Sequence, residues 1–477
     1  MRKALVVMLV VGIPLSVAHA QSPVARPGGP TLGDSYYPPL GNGGYDAQHY
    51  TLDLAWDDQT GVLAGTVTME AAATQPLSAF NLDFLDFTIE AITVNGVPAA
   101  WSRDGLELTI TPDEPLPDGE TFTVAVTYAG VPEPLVPAAI PIPLGWNRTE
   151  DGVYVASEPA GASTWYPVND HPLDKATYTF RFTVPEPYVV AANGRLQTVI
   201  ADGDAATYVW EARDPTASYL VTVNIAQFVV EEQEGPSGLP IRNYYPQGLK
   251  EVGATTFRRT AEMIACFSDF FGPYPFEAYG VVVADADFGF ALETQTLTLF
   301  SRQAVRRRAE LEDTVAHELA HQWFGDSVSL ADWRDIWLNE GFATYATGLW
   351  HECQSGPRVV HRWMLTAYGH LQEREDSLPL TGAPPPDDLF NWEAVYQRGA
   401  LTLHALRVKV GDPAFFAILR TYHDRFQYGN ARTADFIAVA EEISGQDLGA
   451  FFDGWLYQQP LPDIPEMGLF RAEQTVE

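Results

Sequence analysis

From Tyr45 to Val230 apolar and polar residues alternate with a period of two. The pattern is clearest in "YTLDLAWD" (50–57), "GVLAGTVTMEAAA" (61–73), "TFTVAVTYAG" (121–130), "ATYTFRFTV" (176–184) and "YLVTVNIAQFVV" (219–230). Gly, Pro and Asp punctuate these runs, which predicts strands joined by turns and an antiparallel sheet domain over 45–235. A Pro/Gly-rich leader (21–44) precedes it, and "EEQEGPSGLP" (231–240) reads as a linker. Beyond it the period lengthens towards 3.6, as in "ATTFRRTAEMIACFSDFFG" (254–272) and "GALTLHALRVKVG" (399–411). A mainly helical domain is expected over 236–465, with a tail at 466–477. One strand pair interrupts it, around "YGVVVAD" (279–285) and "FALETQTLTLF" (290–300). The fold class is α+β with two domains.

The second of those strands carries an acid, Glu293, in an otherwise apolar run. An unpaired buried carboxylate costs several kcal/mol, so the simplest reading is a bend or an exposed edge. A second pattern changes that reading. In "TVAHELAHQWFGDSVSLADWRDIWLNEGFATY" His317 and His321 stand four apart, so both rings project from one helical face and can ligate one Zn²⁺. Glu318 lies about 100° round that helix, where it can reach a water instead of the metal. Eighteen residues (322–339) separate His321 from Glu340, enough for a turn and a returning helix. Glu340 sits among Trp337, Leu338, Phe342 and Ala343, in a segment that reads as core and gives its carboxylate need of a cation.

These segments resemble the M1 family of zinc aminopeptidases, the gluzincins, whose frame is HExxHxWFGxxV…W…WLNEGFA. "STWYPVNDHPLDKATY" (163–178) is similar to the family's sheet-domain segment ending FPCxDxPxxKA, with Val168 in place of Cys. "VYQRGALTLHAL" resembles its Y-x-K-G-A helix, with Arg398 in place of Lys, and "FFDGWLYQQPLP" resembles the end of its catalytic domain. The resemblance implies a saddle-like sheet domain over a thermolysin-like domain and one zinc ion on His317, His321 and Glu340. It implies Glu318 as general base and Tyr396 as oxyanion donor. It also aligns "FALET" (290–294), twenty-four residues before His317, with the family's G-A-M-E-N strand. Glu293 then grips the free α-amine of a peptide, with Phe290 and Ala291 beside the substrate and Glu158 helping to hold the amine. Phe290, Leu292 and Thr294 depart from that motif, and Phe for Gly alters how closely substrate can approach. The alternatives are an endopeptidase or epoxide hydrolase of the same fold, and a non-catalytic peptide-binding homologue.

The ends and the composition set the surroundings. Arg2 and Lys3, an apolar run and Ala18-His19-Ala20 form a secretory signal peptide (1–20), so a secreted or periplasmic protein is expected. No later stretch is apolar enough to span a membrane. The 477 residues carry a formal charge of −34, which disfavours nucleic acid and anionic membranes as partners. A monomer acting on peptides with a free amino terminus is expected. Cys266 and Cys353 can pair in an oxidising compartment or remain two buried thiols; the sequence leaves both open.

Overall fold

Eight strands form the largest sheet of the computed structural model, which describes residues 24–137, 142–306, 311–374 and 377–470. The expected signal peptide and the last seven residues of the tail lie outside the described residues. The strand order is Arg195–Asp202, Ala205–Thr216, Ala176–Pro185, Tyr45–Trp56, Leu63–Ala73, Thr121–Gly130, Thr88–Val94 and Val97–Pro98. All pairs are antiparallel except one: Ala176–Pro185 runs parallel to Tyr45–Trp56, so the sheet is mixed where alternation predicted antiparallel pairing alone. The period of two says which face a residue takes, not the direction of its neighbour. In Tyr45–Trp56, Tyr45 and Ala47 are buried, and then Tyr50, Leu52, Leu54 and Trp56. The change of parity coincides with a register shift between Ala47 and His49, a bulge that keeps one face on the core.

A four-stranded sheet (Gly145–Arg148, Gly152–Ala156, Val223–Ala226, Val189–Ala192) carries the chain towards Glu158. The expected linker is not one. Phe228–Glu234 and Pro240–Pro246 pair residue by residue as a hairpin, with the Gly/Pro cluster as its turn. That hairpin opens a five-stranded sheet, in the order Phe228–Glu234, Pro240–Pro246, Tyr279–Ala284, Thr298–Ser301, Ala291–Leu292. Its centre is parallel and buried on both sides, which explains a run as apolar as "YGVVVA". Val281 and Val283 face the helical core, whereas Val282 and Ala284 join the core of the first domain. The two domains thus pack on opposite faces of one sheet.

Helices Thr260–Phe271, Leu311–Ala320, Trp337–Ser355, Arg358–Gln372, Arg398–Val410, Asp412–Phe426, Thr433–Ser444 and Gly449–Tyr457 complete the second domain. Cys266 and Cys353 form a disulfide that ties Thr260–Phe271 to Trp337–Ser355 across 87 residues. The leader is structured over its described part. Arg26–Pro27 pairs with Leu77–Asp83, and Leu40, Asn42 and Asp34 are buried. Asp34 accepts from the amides of Tyr36, Tyr37 and Trp333 and pairs with His171 at 3.1 Å. One carboxylate therefore joins the leader, the sheet domain and the turn before the Trp337–Ser355 helix. Lys175 makes a second bolt, donating to the carbonyls of Asp326 and Ser327 just beyond His321.

Candidate metal centre and amine site

Leu311–Ala320 ends one residue before His321, whose amide still donates to the His317 carbonyl at 3.3 Å. The two imidazoles therefore keep their four-residue stacking. Trp337–Ser355 packs against this helix and brings Glu340 into the same space. His317 Nε2 and His321 Nε2 are 3.1 Å apart, and Glu340 Oε2 lies 3.1 and 3.4 Å from them. Zinc bonds of about 2.0–2.2 Å at tetrahedral angles place ligand atoms about 3.3–3.6 Å apart, so this triangle is the right size for the ion. The donor chemistry agrees. His321 Nδ1 faces the Phe324 carbonyl at 3.1 Å, and donating there leaves Nε2 as a bare lone pair aimed at its neighbours. Two ring nitrogens at that separation cannot both carry protons, and a cation between them removes the conflict.

The triad opens into a cavity of about 610 Å³ whose lining includes Glu158, Phe290, Ala291, Glu293, Glu318 and Tyr396. Every site residue expected from the sequence is therefore in one place. Carboxylate oxygens of Glu158, Glu293 and Glu340 lie within 4.8 Å of one another, and Glu293 and Glu318 approach His321 equally closely. Oε1 of both Glu158 and Glu293 is buried with no hydrogen-bond partner among the described residues. Burial, followed by repulsion from Glu293 and Glu340, pushes the Glu158 carboxyl well up. Burial likewise raises Glu293 and Glu318. Glu340 goes the other way: burial opposes it, but the two histidines hold its carboxyl down at about 2. Such a cluster of acids is costly without cations, and it offers two seats, the metal triad and the Glu158–Glu293 pair.

Glu293 is not within a strand. Ala291–Leu292 is a short edge that ends just before it, and a turn follows in which Thr296 has φ 65°. Gln322, next to the second histidine, pins that turn: Nε2 donates to the Glu293 carbonyl at 3.0 Å and Oε1 accepts from Thr296 N at 2.9 Å. Sequence reasoning passed over Gln322, whose only signal was an amide directly beside a ligand. Phe290 packs on Phe288 (centroids 4.7 Å apart), which stacks on Tyr154 at 4.7 Å, so the aromatic wall is anchored in the first domain. Tyr396 lies on a π-helical turn, Trp392–Gln397, with its ring stacked on His317 at 5.8 Å and tilted against Trp392 at 5.1 Å. Burial, reinforced by Glu340 and Glu158, pushes its hydroxyl pKa well up, so it remains a donor. Arg398, where the motif has Lys, is fully buried and donates to the carbonyls of Gly454, Trp455, Gln458 and Gln459. It closes the end of the Gly449–Tyr457 helix and does not line the cavity.

Comparison with known proteins agrees with this geometry. Residues 46–220 match the model of the Peptidase M1 N-terminal domain and residues 255–455 that of the Peptidase family M1 domain. An M1 zinc metallopeptidase from Deinococcus radiodurans superposes with a TM-score of 0.82 at 35% identity, covering 91% of this chain and 99% of that one. A mutant of that protein has been solved bound to a Tyr-Ser-Ala substrate. Aminopeptidase N of Streptomyces lividans is 26% identical over 441 residues, 86% of this chain and 50% of its own. Aminopeptidase M1 of Arabidopsis thaliana is 27% identical over 330 residues, 64% of this chain and 37% of its own. The chain thus spans between about a third and a half of the length of these two curated relatives. By its two matched domains and its near full-length likeness to a solved member, the chain belongs to the M1 family of zinc metallopeptidases, and zinc is its metal.

Proposed function

We propose that the protein is an exported aminopeptidase that removes the first residue of peptides. The observation that carries this reading is the pair of carboxylates Glu158 and Glu293 beside the metal triad, each with a buried oxygen that has no hydrogen-bond partner among the described residues. A free α-ammonium satisfies both, and charge-assisted hydrogen bonds of this kind are about twice as strong as neutral ones. With the amine seated there, the first peptide carbonyl falls at the triad, and longer amino-terminal extensions do not fit. His317, His321 and Glu340 would hold zinc, which would supply Lewis-acid polarisation and lower the pKa of a water towards neutrality. Glu318 takes the proton of the attacking water and passes it to the leaving amine. The Tyr396 hydroxyl donates to the oxygen on which negative charge develops.

Export rests on residues 1–20, and the Cys266–Cys353 bridge suits an oxidising compartment. Hydrolysis of amino-acid arylamides, free and N-acetylated, with and without a chelator, tests the activity. Cleavage of the free compounds only, abolished by chelation and restored by zinc, is expected. Equal cleavage of the acetylated series sinks the aminopeptidase reading.

A further inference from the structure

Three elements carry the metal-site cavity away from the amine seat. Glu293 gathers with Glu318 at His321, and with Glu158 at Glu340. From there the Leu311–Ala320 helix leads back through Thr314 to Asp313, and Trp337–Ser355 leads on through Thr344 and Thr347 to His351. The chain before Glu293 leads to Gly289, and all of these residues line the one cavity. At the far end His351 Nε2 meets Asp313 Oδ1 at 2.8 Å. Trp363 packs beside them, so close to the His351 helix that a Cβ on Gly348 would lie 2.8 Å from its ring. With the amine at Glu158 and Glu293, whatever follows the scissile bond leaves along this half of the groove. Asp313 stands one turn, about 6 Å, before His317, and two residues of extended chain cover that length.

The charges of the lining are one-sided. Among the described residues it holds five carboxylates, Glu158, Glu293, Asp313, Glu318 and Glu340, and no Lys or Arg. Zinc offsets Glu340, and a substrate ammonium offsets the Glu158–Glu293 pair. Asp313 is left with His351, an imidazole that is charged for only part of the neutral range. The bond to Asp313 raises the His351 pKa, burial opposes the rise, and the charges of Asp313 and Glu312 add to it. Glu312 is itself engaged by Arg259 at 2.7 Å. We propose that Asp313 selects peptides with a basic residue in one of the two positions after the scissile bond. This selection rests on the aminopeptidase reading above. A Lys or Arg cation takes the place of His351 at Asp313, and its aliphatic stem lies against Trp363. An acidic residue in the same place is repelled.

Hydrolysis of Leu-Lys-Ala-amide and Leu-Ala-Lys-amide by the zinc-loaded full chain, each against the same peptide with norleucine for Lys, tests the proposal. The amide ends remove the carboxylate, and the ratio of kcat/KM within a series cancels the pH dependence of the chemistry. At pH 8 Lys should exceed norleucine by about 2–5-fold in at least one series, the range for a partly exposed ion pair. Glu in the same position should fall below norleucine. At pH 6, with His351 protonated and seated on Asp313, the advantage of Lys shrinks, and His351→Gln restores it. Asp313 is exposed, so Asp313→Asn does not threaten the fold, and it should bring the ratio to about one at both pH values. Equal rates for Lys and norleucine in both series, or a preference that Asp313→Asn leaves intact, overturn the selection and leave aminopeptidase activity standing. Failure to cleave any of these free-amine peptides overturns both.

Discussion

Glu318 and Glu293 are both acids in the same cavity, yet their proposed tasks are separable. In the proposed mechanism Glu318 moves a proton and is not a ligand, so Glu318→Gln should lower kcat by about 10²–10⁴ with zinc content unchanged. Rate and metal analysis on the same preparation check both halves. Gln322 holds the turn on which Glu293 sits, through its two bonds to that turn. Gln322→Leu removes both, and should raise KM for free-amine substrates more than it lowers kcat, while the triad still binds zinc. The two histidines and Glu340 were legible because ligand spacing on helices is local geometry. Glu293 announced itself as an acid out of pattern. Glu158, Phe290 and Tyr396 could be named only through the family resemblance, since a turn Glu, a Phe or one Tyr among many carries no local signature. Gln322 and Arg398 act through main-chain groups distant in sequence, and no pattern in the chain points to those partners.

Among elements, alternation identified the strands but not the parallel pairing of Ala176–Pro185 with Tyr45–Trp56. The charged stretch 231–240 reads as a linker because its composition resembles solvent exposure, and the outer hairpin of a sheet to which it belongs shares that composition. Arg398 illustrates how one residue holds an element. Its four carbonyl partners need a fork of donors, and a lysine ammonium has three. Arg398→Lys should therefore leave at least one buried carbonyl unpaired and cost about 1–3 kcal/mol, seen as a lower denaturant midpoint at unchanged m-value. The Cys266–Cys353 bridge closes an 87-residue loop. In the chain-entropy model that constraint is worth about 4–5 kcal/mol. The double Cys→Ser variant should retain activity at low temperature and unfold at a markedly lower one.

Over the whole molecule, the metal-bearing helices are held to the sheet domain through Asp34 and Lys175. The Asp34 carboxyl is the clearest: burial works against it, but His171 and the amides of Trp333, Tyr37 and Tyr36 hold its pKa at about 2, below the ordinary 3.8. A depressed carboxyl stabilises the fold fully above the unfolded value and loses that contribution as pH falls through the folded one. The clasp should thus be intact above about pH 4 and weaken towards pH 2. Asp34→Asn should lower stability at neutral pH and flatten its dependence on pH between those limits, measured by thermal unfolding. The leader is legible only as Pro- and Gly-rich; that it carries a buried carboxylate at Asp34 depends on Trp333 and His171, which the chain supplies much later.

The proposed function turns on Glu293, with Glu158, measuring one residue from the amino terminus. The ratio of kcat/KM for leucine arylamide to that for its N-acetyl derivative reads this directly, in the native chain and in Glu293→Gln. The account predicts a large ratio in the native chain, and in the variant a fall of about 10–100-fold carried by the free substrate. A ratio near one in the native chain, or one that Glu293→Gln leaves unchanged, contradicts it.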